Sequence, residues 1–343
     1  MNNPIQILEK YWGHSRFLPM QEELIDSVLN GKDSIALLPT GGGKSVCFQI
    51  PALAQEGICI VISPLVALMN DQVSALKKRG IKALAITGGI KFQDLNILLD
   101  NAIYGNYKFL YLSPERLKQE LVQNAIRLMS VNLFAIDEAH CISQWGNDFR
   151  PAYNNINVLR TLHPLVPFIA LTATATPEVL EDTIIQLQLE KPSVFKSSFI
   201  RKNLSYQVIK EDDKLYRIER LLKNNSGSAI VYVRSRKLAV ETSNQLNSLG
   251  ITSNYYHGGI ANEEKQTRLE NWLAGKNDVM VATNAFGMGI DNPNVRFVFH
   301  IQLPESLESY FQEAGRAGRD QNYACAIILY NDYDKVLIKK QFI

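Results

Sequence analysis

The chain has 343 residues, of which 46% are hydrophobic, and this is enough for two domains with buried cores. Its 36 basic and 34 acidic residues give a net charge of +2, so the overall charge neither demands nor excludes nucleic acid, and any basic track is local. The four cysteines form no CxxC pair, which argues against a structural zinc site and fits a reducing cytoplasm, and neither a signal peptide nor an apolar run of the ~18 residues in a membrane span is recognisable.

Short β-forming runs alternate with helix-period segments through the first half of the chain. The runs are continuously apolar, as strands buried on both faces should be, and they cover residues 34–38, 58–63, 82–87, 108–113, 132–137 and 168–174. Between the second and third runs, Met69, Val73 and Leu76 fall on one helical face with Leu65 and Leu68, and Gly80 follows as a stop signal. This alternation predicts a doubly wound parallel sheet.

A second series of strands begins after residue 200. Its predicted strands cover residues 228–233, 278–283, 295–300 and 324–330. The polar segment 191–203, which has no clear period, separates the two series. We therefore predict an α/β chain of two domains, 1–199 and 200–343, each a mostly parallel sheet flanked by helices.

The segment "LLPTGGGKSVCFQI" (37–50) reads as a strand, a glycine-rich loop and a helix. Glycines let backbone N–H groups curl around phosphate oxygens, and a helix amino terminus favours an anion. In such loops the lysine, here Lys44, reaches the β- and γ-phosphates and the next hydroxyl, Ser45, binds Mg²⁺. Leu38 stands where the strict pattern has a glycine. The alternative is a glycine-rich turn with an exposed lysine.

Two adjacent acids, Asp137 and Glu138, end the apolar run "NLFAID". Ligands of α/β sheets lie at the carboxyl ends of strands. An aspartate there can hold Mg²⁺, and the neighbouring glutamate can orient the attacking water. The alternative is a pair of solvated acids that cap the next helix.

These two motifs, with "LTATATP" (171–177), "VMVATNAFGMGID" (279–291) and "QEAGRAGRD" (312–320), resemble those of superfamily 2 helicases. The resemblance is closer to the RecQ family of DNA helicases. Its further signatures are "FLPMQ" (17–21), "SPLVALMNDQV" (63–73), "YLSPERL" (111–117) and the aromatic-rich loop "CISQWGNDFRP" (141–151). Together the matches cover nearly all of residues 11–330 in the expected order.

The resemblance implies two tandem RecA-like domains with one ATP in the cleft between them. Residues implied to bind the nucleotide are His14, Leu18 and Gln21 at the adenine, Thr40, Gly41, Gly42, Gly43, Lys44 and Ser45 at the phosphates, and Gly289, Asp291 and Gln312 in the second domain. Arg316 and Arg319 are implied to act on the γ-phosphate, with Arg319 as the arginine finger, while Ser45 and Asp137 hold Mg²⁺. Residues implied to contact DNA or to relay the nucleotide state are Ser63, Asn70, His140, Gln144, Trp145, Asn147, Phe149, Arg150, Thr172 and Thr174.

The chain departs from the family pattern at three positions. The family usually has an aromatic residue at the position of His14, an arginine at that of Leu18 and a histidine at that of Asn147. Leucine packs on a base but offers no cation–π attraction. Trp145 and Phe149 can stack on unpaired bases of any sequence, which explains aromatic residues so close to the acids. The alternative is that Trp145 is a core residue beneath the loop.

The function implied by the resemblance is a DNA-stimulated ATPase and 3′→5′ DNA helicase core that serves DNA repair and recombination. The expected cofactors are ATP and Mg²⁺, and the expected partners are single-stranded and forked or duplex DNA, with no membrane, a monomeric core and a cytoplasmic location. The zinc-binding and winged-helix modules that often follow in the family lie outside this chain, so weak unwinding is expected. Two alternatives stay open: an RNA helicase or remodelling translocase, and a nucleotide-gated binding module without turnover.

Overall fold

The structure is a computed structural model that describes residues 3–39, 41–145, 149–198, 200–286 and 292–336. The chain divides into two compact units, Met1–Phe199 and Ile200–Ile343. Each unit is built on one sheet in which every recorded strand pairing is parallel. This agrees with the predicted fold class.

The first unit contains a seven-stranded sheet in the order β3-β4-β2-β5-β6-β1-β7. The strands are β1 (Ser34–Leu37), β2 (Ile58–Ile62), β3 (Ala83–Ile86), β4 (Phe109–Leu112), β5 (Val131–Ile136), β6 (Phe168–Thr172) and β7 (Ser193–Lys196). The helices are α1 (Pro4–Trp12), α2 (Gln21–Leu29), α3 (Lys44–Ala54), α4 (Val66–Lys78), α5 (Phe92–Tyr104), α6 (Glu120–Leu128), α7 (Val158–Leu162) and α8 (Pro177–Gln186). Short 3₁₀ helices cover Pro114–Lys118, Ala139–Ile142 and Pro151–Asn155.

Alternate residues of the first sheet enter two separate cores. On β2, Ile58, Ile60 and Ile62 belong to one core, whereas Cys59 and Val61 belong to the other. Successive side chains of a strand point to opposite faces, so the sheet is covered on both sides. Helices α5, α6 and α8 contribute to the first core, and α2, α3 and α4 contribute to the second. This explains the continuously apolar strands.

The second unit contains a six-stranded sheet in the order β10-β11-β9-β12-β13-β8. The strands are β8 (Leu204–Lys210), β9 (Ser228–Tyr232), β10 (Ser253–Tyr256), β11 (Val279–Ala282), β12 (Val295–His300) and β13 (Ala324–Tyr330). The helices are α9 (Lys214–Lys223), α10 (Arg236–Ser248), α11 (Asn262–Leu273) and α12 (Leu307–Ala314). Two cores again separate by face: α11 and α12 pack in one of them, and α9 and α10 pack in the other.

Three edge strands, β7, β8 and β10, were absent from the sequence prediction. In the part of the chain that the structure describes, each has a neighbouring strand on one side only, so it does not need the continuous apolar run that marks a central strand. After the buried Leu204, half-buried residues of β8 alternate with exposed ones. The segment 191–203, predicted as a polar linker, contains β7, which pairs with β1.

Candidate nucleotide and nucleic-acid site

Three strand ends of the first unit carry the predicted nucleotide motifs, and they belong to neighbouring strands. The phosphate loop follows β1, residues 172–174 end and follow β6, and the acids follow β5. These strands are adjacent in the order β5-β6-β1. Since the carboxyl ends of parallel strands meet at one edge, the sheet gathers motifs that lie far apart in the chain.

The phosphate loop leads directly into helix α3, whose first two residues are Lys44 and Ser45. Gly41 and Gly43 adopt positive φ angles of 81° and 69°, a region that glycine enters at little cost. Both residues that would hold phosphate and metal therefore lie at the amino terminus of a helix, where an anion is favoured. Thr40 lies outside the described residues.

Gln21 connects the predicted adenine motif to the phosphate loop. Its Oε1 accepts a hydrogen bond from the Leu18 amide at 2.9 Å, and its Nε2 donates to the carbonyl oxygens of Gly43 at 3.2 Å and Gly42 at 3.4 Å. A Cβ on Gly43 would lie 2.3 Å from Gln21 Nε2, so only glycine permits this approach. The side chains of His14 and Leu18 are exposed. The side-chain amide of Gln21 is thus hydrogen-bonded within the chain through both its oxygen and its nitrogen.

The two acids are almost completely buried, with Asp137 6% and Glu138 7% exposed. Glu138 adopts a left-handed backbone (φ 46°, ψ 49°), a conformation that non-glycine residues rarely hold without functional cause. Its Oε1 lies 3.7 Å from Lys44 Nζ, and its Oε2 lies 3.4 Å from His140 Nδ1. The geometry therefore joins the acids to the phosphate loop on one side and to His140 on the other.

Burial and the neighbouring Glu138 carboxylate raise the pKa of Asp137 to about 6, against the opposing effect of Lys44. Asp137 is held by its own segment: its Oδ1 accepts from the Glu138 amide at 3.0 Å, and its carbonyl accepts from the Tyr153 hydroxyl at 2.8 Å. Two buried carboxylates beside a single lysine ammonium group leave negative charge that a cation would offset. Within the described residues, no group of three or more histidine, cysteine, aspartate or glutamate side chains could hold a metal ion.

A chain of polar contacts runs from the acids to the end of β6. His140 Nδ1 lies 2.7 Å from Thr172 Oγ1, which also donates to the Thr174 carbonyl at 3.0 Å and accepts from the Thr174 amide at 3.2 Å. The structure thus brings together His140, Thr172 and Thr174, which the resemblance implied to be a relay, and places His140 beside Glu138. Their role as a relay remains a prediction.

The aromatic-rich loop begins beside this chain of contacts. Trp145 is 79% exposed, which excludes the alternative of a core tryptophan, and Gln144 is exposed as well. Phe149 and Arg150 are half-buried, and Arg150 Nη1 donates to the Pro64 carbonyl at 3.1 Å. That bond ties the loop to the segment that precedes α4. Asn147 lies outside the described residues.

The remaining predicted DNA contacts differ in exposure. Asn70 is exposed on α4, whereas Ser63 is 1% exposed at the end of β2. The Ser63 hydroxyl has no hydrogen-bond partner within the described part of the chain. A DNA contact through Ser63 would therefore need a rearrangement, and one through Asn70 would not.

The second unit carries the remaining predicted residues. Arg316 is 5% exposed, and Gln312 and Arg319 are half-buried. Gly289 and Asp291 lie outside the described residues. The sequence prediction missed Tyr153, whose hydroxyl holds the Asp137 carbonyl. Its position three residues after Arg150, next to the aromatic-rich loop, could have pointed to it.

Comparison with known families identifies both halves of the chain. Residues 18–183 match the DEAD/DEAH box helicase family, and residues 213–321 match the helicase conserved C-terminal domain. None of the helices in the described segments is long and apolar enough to cross a membrane.

Several solved structures share this fold. Mycobacterium smegmatis helicase Lhr bound to ssDNA and AMP-PNP superposes with a TM-score of 0.76 at 19% identity, covering 96% of this chain and 48% of that one. The DUF1998 helicase MrfA bound to DNA gives 0.78 at 19% identity, covering 99% and 50%. Saccharomyces cerevisiae Dbp5 bound to RNA and ADP BeF3 gives 0.75 at 20% identity, covering 100% and 92%. At these identities the likeness shows the tandem RecA-like helicase fold alone.

Sequence relatives are closer. The ATP-dependent DNA helicase RecQ of Bacillus subtilis is 45% identical over 331 residues, covering 96% of this chain and 56% of that protein. The probable ATP-dependent DNA helicase RecS of Bacillus subtilis is 41% identical, covering 94% and 66%, and the RecQ-like DNA helicase blm-1 of Caenorhabditis elegans is 39% identical, covering 97% and 35%. The chain thus spans between about a third and two thirds of these relatives. It belongs to the RecQ family of superfamily 2 helicases.

Proposed function

We propose that the chain is the ATP-hydrolysing core of a 3′→5′ DNA helicase, in which single-stranded DNA stimulates hydrolysis and hydrolysis drives translocation and unwinding. The polarity follows from the family resemblance, as do the place in DNA repair and recombination, the monomeric core and the cytoplasmic location. The observation that carries the proposal is the continuous contact from Lys44 through Glu138 and His140 to Thr172, beside a loop with an exposed tryptophan.

In this proposal Glu138 orients and polarises the water that attacks the γ-phosphate. Its buried carboxylate lies between Lys44, at 3.7 Å from Oε1, and His140, at 3.4 Å from Oε2, and Oε2 has no hydrogen-bond partner among the described residues, so it is available to accept a proton. Lys44 balances charge on the phosphates while its neighbours at the start of α3 donate backbone N–H groups. The left-handed backbone at Glu138 directs its side chain toward Lys44 at the phosphate loop.

Mg²⁺ fits the residues that would hold it. Ser45 and Asp137 offer oxygen donors, which this ion prefers, and the two buried carboxylates of Asp137 and Glu138 carry charge that such an ion would offset. When bound, the ion would neutralise charge that develops on the phosphates. Gln312, Arg316 and Arg319, together with Gly289 and Asp291, are proposed to complete the reaction on the basis of the resemblance.

DNA is proposed to act through the aromatic-rich loop. Bases that stack on Trp145 and Phe149 would select one conformation of the loop, which is a population shift with DNA as the effector. The Arg150–Pro64 bond carries that conformation to the segment before α4, and His140 carries it to Glu138. DNA binding and hydrolysis would thereby be coupled inside the first unit.

The test is ATP hydrolysis at fixed salt with no nucleic acid, single-stranded DNA, forked DNA and RNA, with Lys44→Ala as the inactive control. We expect strong stimulation by single-stranded DNA, weaker stimulation by RNA, and no turnover by Lys44→Ala. Stimulation by RNA alone would favour the RNA-helicase alternative. Nucleotide binding without phosphate release under any condition would favour the binding module.

A further inference from the structure

Two aromatic rings at the carboxyl edge of the second sheet form a buried pair that the proposed function leaves unused. Tyr232 ends β9 and His300 ends β12, and the two residues are register partners. Their rings stack with centroids 5.3 Å apart and an interplanar angle of 18°. Tyr232 is 3% and His300 1% exposed, so both are withdrawn from solvent.

Helix α12 is attached to this pair through Glu313. His300 Nε2 lies 2.8 Å from Glu313 Oε2, and because a carboxylate only accepts, the proton lies on Nε2. The Tyr310 ring meets His300 edge to face at 5.1 Å, so the imidazole is held between two tyrosines. The other ring nitrogen, Nδ1, has no hydrogen-bond partner among the described residues. The position of the imidazole is thus set by packing and by one bond to α12.

Arg316 follows Glu313 by three residues and lies beside the Tyr232 hydroxyl. Burial raises the pKa of Tyr232 and the nearby Arg316 guanidinium opposes that rise, while the hydroxyl donates to the Phe286 carbonyl at 2.7 Å. Arg316 is 5% exposed, yet its Nε and Nη1 have no hydrogen-bond partner in the part of the chain that the structure describes. A buried guanidinium with two unused donors is costly, and an anion would satisfy it.

We propose that His300 and Tyr232 are positioning residues that hold Arg316 ready for the phosphate charge of ATP hydrolysis. Glu313 is hydrogen-bonded to His300, the register partner of Tyr232, and Arg316 lies one turn further along beside the Tyr232 hydroxyl. The bond to His300 fixes the segment that carries Arg316, and the Tyr232 hydroxyl lies where the guanidinium is held. The proposal rests on the proposed function, since it assigns these residues to the same reaction.

The kinetic test compares four variants of the full chain. His300→Phe keeps a ring in the stack but removes the N–H that Glu313 accepts, and His300→Gln restores an N–H donor. Tyr232→Phe removes the hydroxyl beside which the Arg316 guanidinium lies. Tyr310→Phe is the matched control, because its hydroxyl has no hydrogen-bond partner within the described residues.

We expect His300→Phe and Tyr232→Phe to lower kcat for DNA-stimulated hydrolysis by roughly ten- to a hundredfold, with KM for ATP and Tm nearly unchanged. His300→Gln should recover part of the loss, and Tyr310→Phe should keep full activity. In an Arg316→Ala background, His300→Phe should have little further effect, because the guanidinium that His300 positions is already absent. Equal losses with and without Arg316, or a loss only in Tm, would overturn the proposal.

A second measurement does not depend on turnover. The Nε–H of Arg316 should give a resolved, slowly exchanging signal in ¹⁵N NMR of the full chain, assigned by its loss in Arg316→Lys. We expect His300→Phe and Tyr232→Phe to broaden or shift that signal, and Tyr310→Phe to leave it in place. An unchanged signal in His300→Phe would refute the positioning role. Absence of wild-type ATP hydrolysis would refute only the proposed function, because the NMR result still decides where Arg316 is held.

Discussion

Asp137→Asn should make the metal-free protein more stable while it removes activity. The folded chain raises the pKa of this carboxyl from 3.8 to about 6, so the folded state binds the proton more tightly than the unfolded state does. The stability that protonated Asp137 contributes is fully present below its unfolded pKa of 3.8, and it is lost as the pH rises through its folded pKa of about 6. A shift of roughly two units corresponds to about 3 kcal/mol at pH 8.

Asparagine cannot ionise and therefore escapes this cost, while its Oδ1 can still accept from the Glu138 amide. We expect the variant to gain up to about 3 kcal/mol at pH 8 and about half of that at pH 5. The assay is urea unfolding in EDTA, followed by tryptophan fluorescence at both pH values. The control is Asp33→Asn, because Asp33 is also buried but accepts from Arg160 and from the amides of Phe168 and Glu190.

Asp33→Asn should lower stability, since it leaves buried donors without a charged acceptor. Because Asp33 lies in the first unit, the urea unfolding transition that shifts in Asp33→Asn is the one that belongs to that unit. A loss of stability in Asp137→Asn at pH 8, or an equal gain at both pH values, would refute the reasoning. Either result would mean that the carboxylate is better compensated than its burial and the neighbouring Glu138 indicate.

Three further predictions concern single side chains. Glu138→Gln should bind ATP but hydrolyse it ~10² to 10⁴ times more slowly, because the amide loses the proton acceptor; equal single-turnover rates would exclude this role. Trp145→Ala should keep basal hydrolysis and Tm but lose stimulation by single-stranded DNA, since the ring is 79% exposed and supports no core; full stimulation would make the loop merely structural. Cys47 and Cys59 should resist iodoacetamide at pH 8, because burial raises the pKa of Cys47 to about 12 and that of Cys59 well above its usual value; mass spectrometry of the native protein would reveal labelling.

The central strands could be predicted from sequence because burial on both faces demands continuous apolar residues. The same rule could not predict β8 or β10, because these edge strands contain half-buried and exposed residues and so lack a continuous apolar run. In the site, Lys44, Ser45, Asp137 and Glu138 were identified from their motifs, since each motif contains its own chemistry. A motif indicates which residue types are available for the chemistry, but it does not predict which of their atoms are in contact.

The contacts between motifs could not be predicted, because they depend on strand order and on side-chain direction. His140 and Thr172 are 32 residues apart and meet only because β5 and β6 are neighbours. The hydrogen bonds of Gln21 depend on how α2 approaches the phosphate loop, and the Arg150–Pro64 bond crosses 86 residues. The pairing of His300 with Glu313 likewise follows from the packing of α12 and not from any motif.

The all-parallel strand order has a consequence for how the chain folds during synthesis. Among the described residues, strand β1, which leads into the phosphate loop, pairs with β6 and β7 alone, so Ser34 cannot pair before Ile169 and Ser193 have been synthesised. Within the same residues β8 pairs with β13 alone, where Leu204 is the register partner of Ala324. Long-range parallel pairing is slow, and unpaired strand edges invite association. Each unit therefore stays incomplete, with its first strand unpaired, until its last strands have been synthesised, and interrupted translation would release a chain with exposed apolar edges.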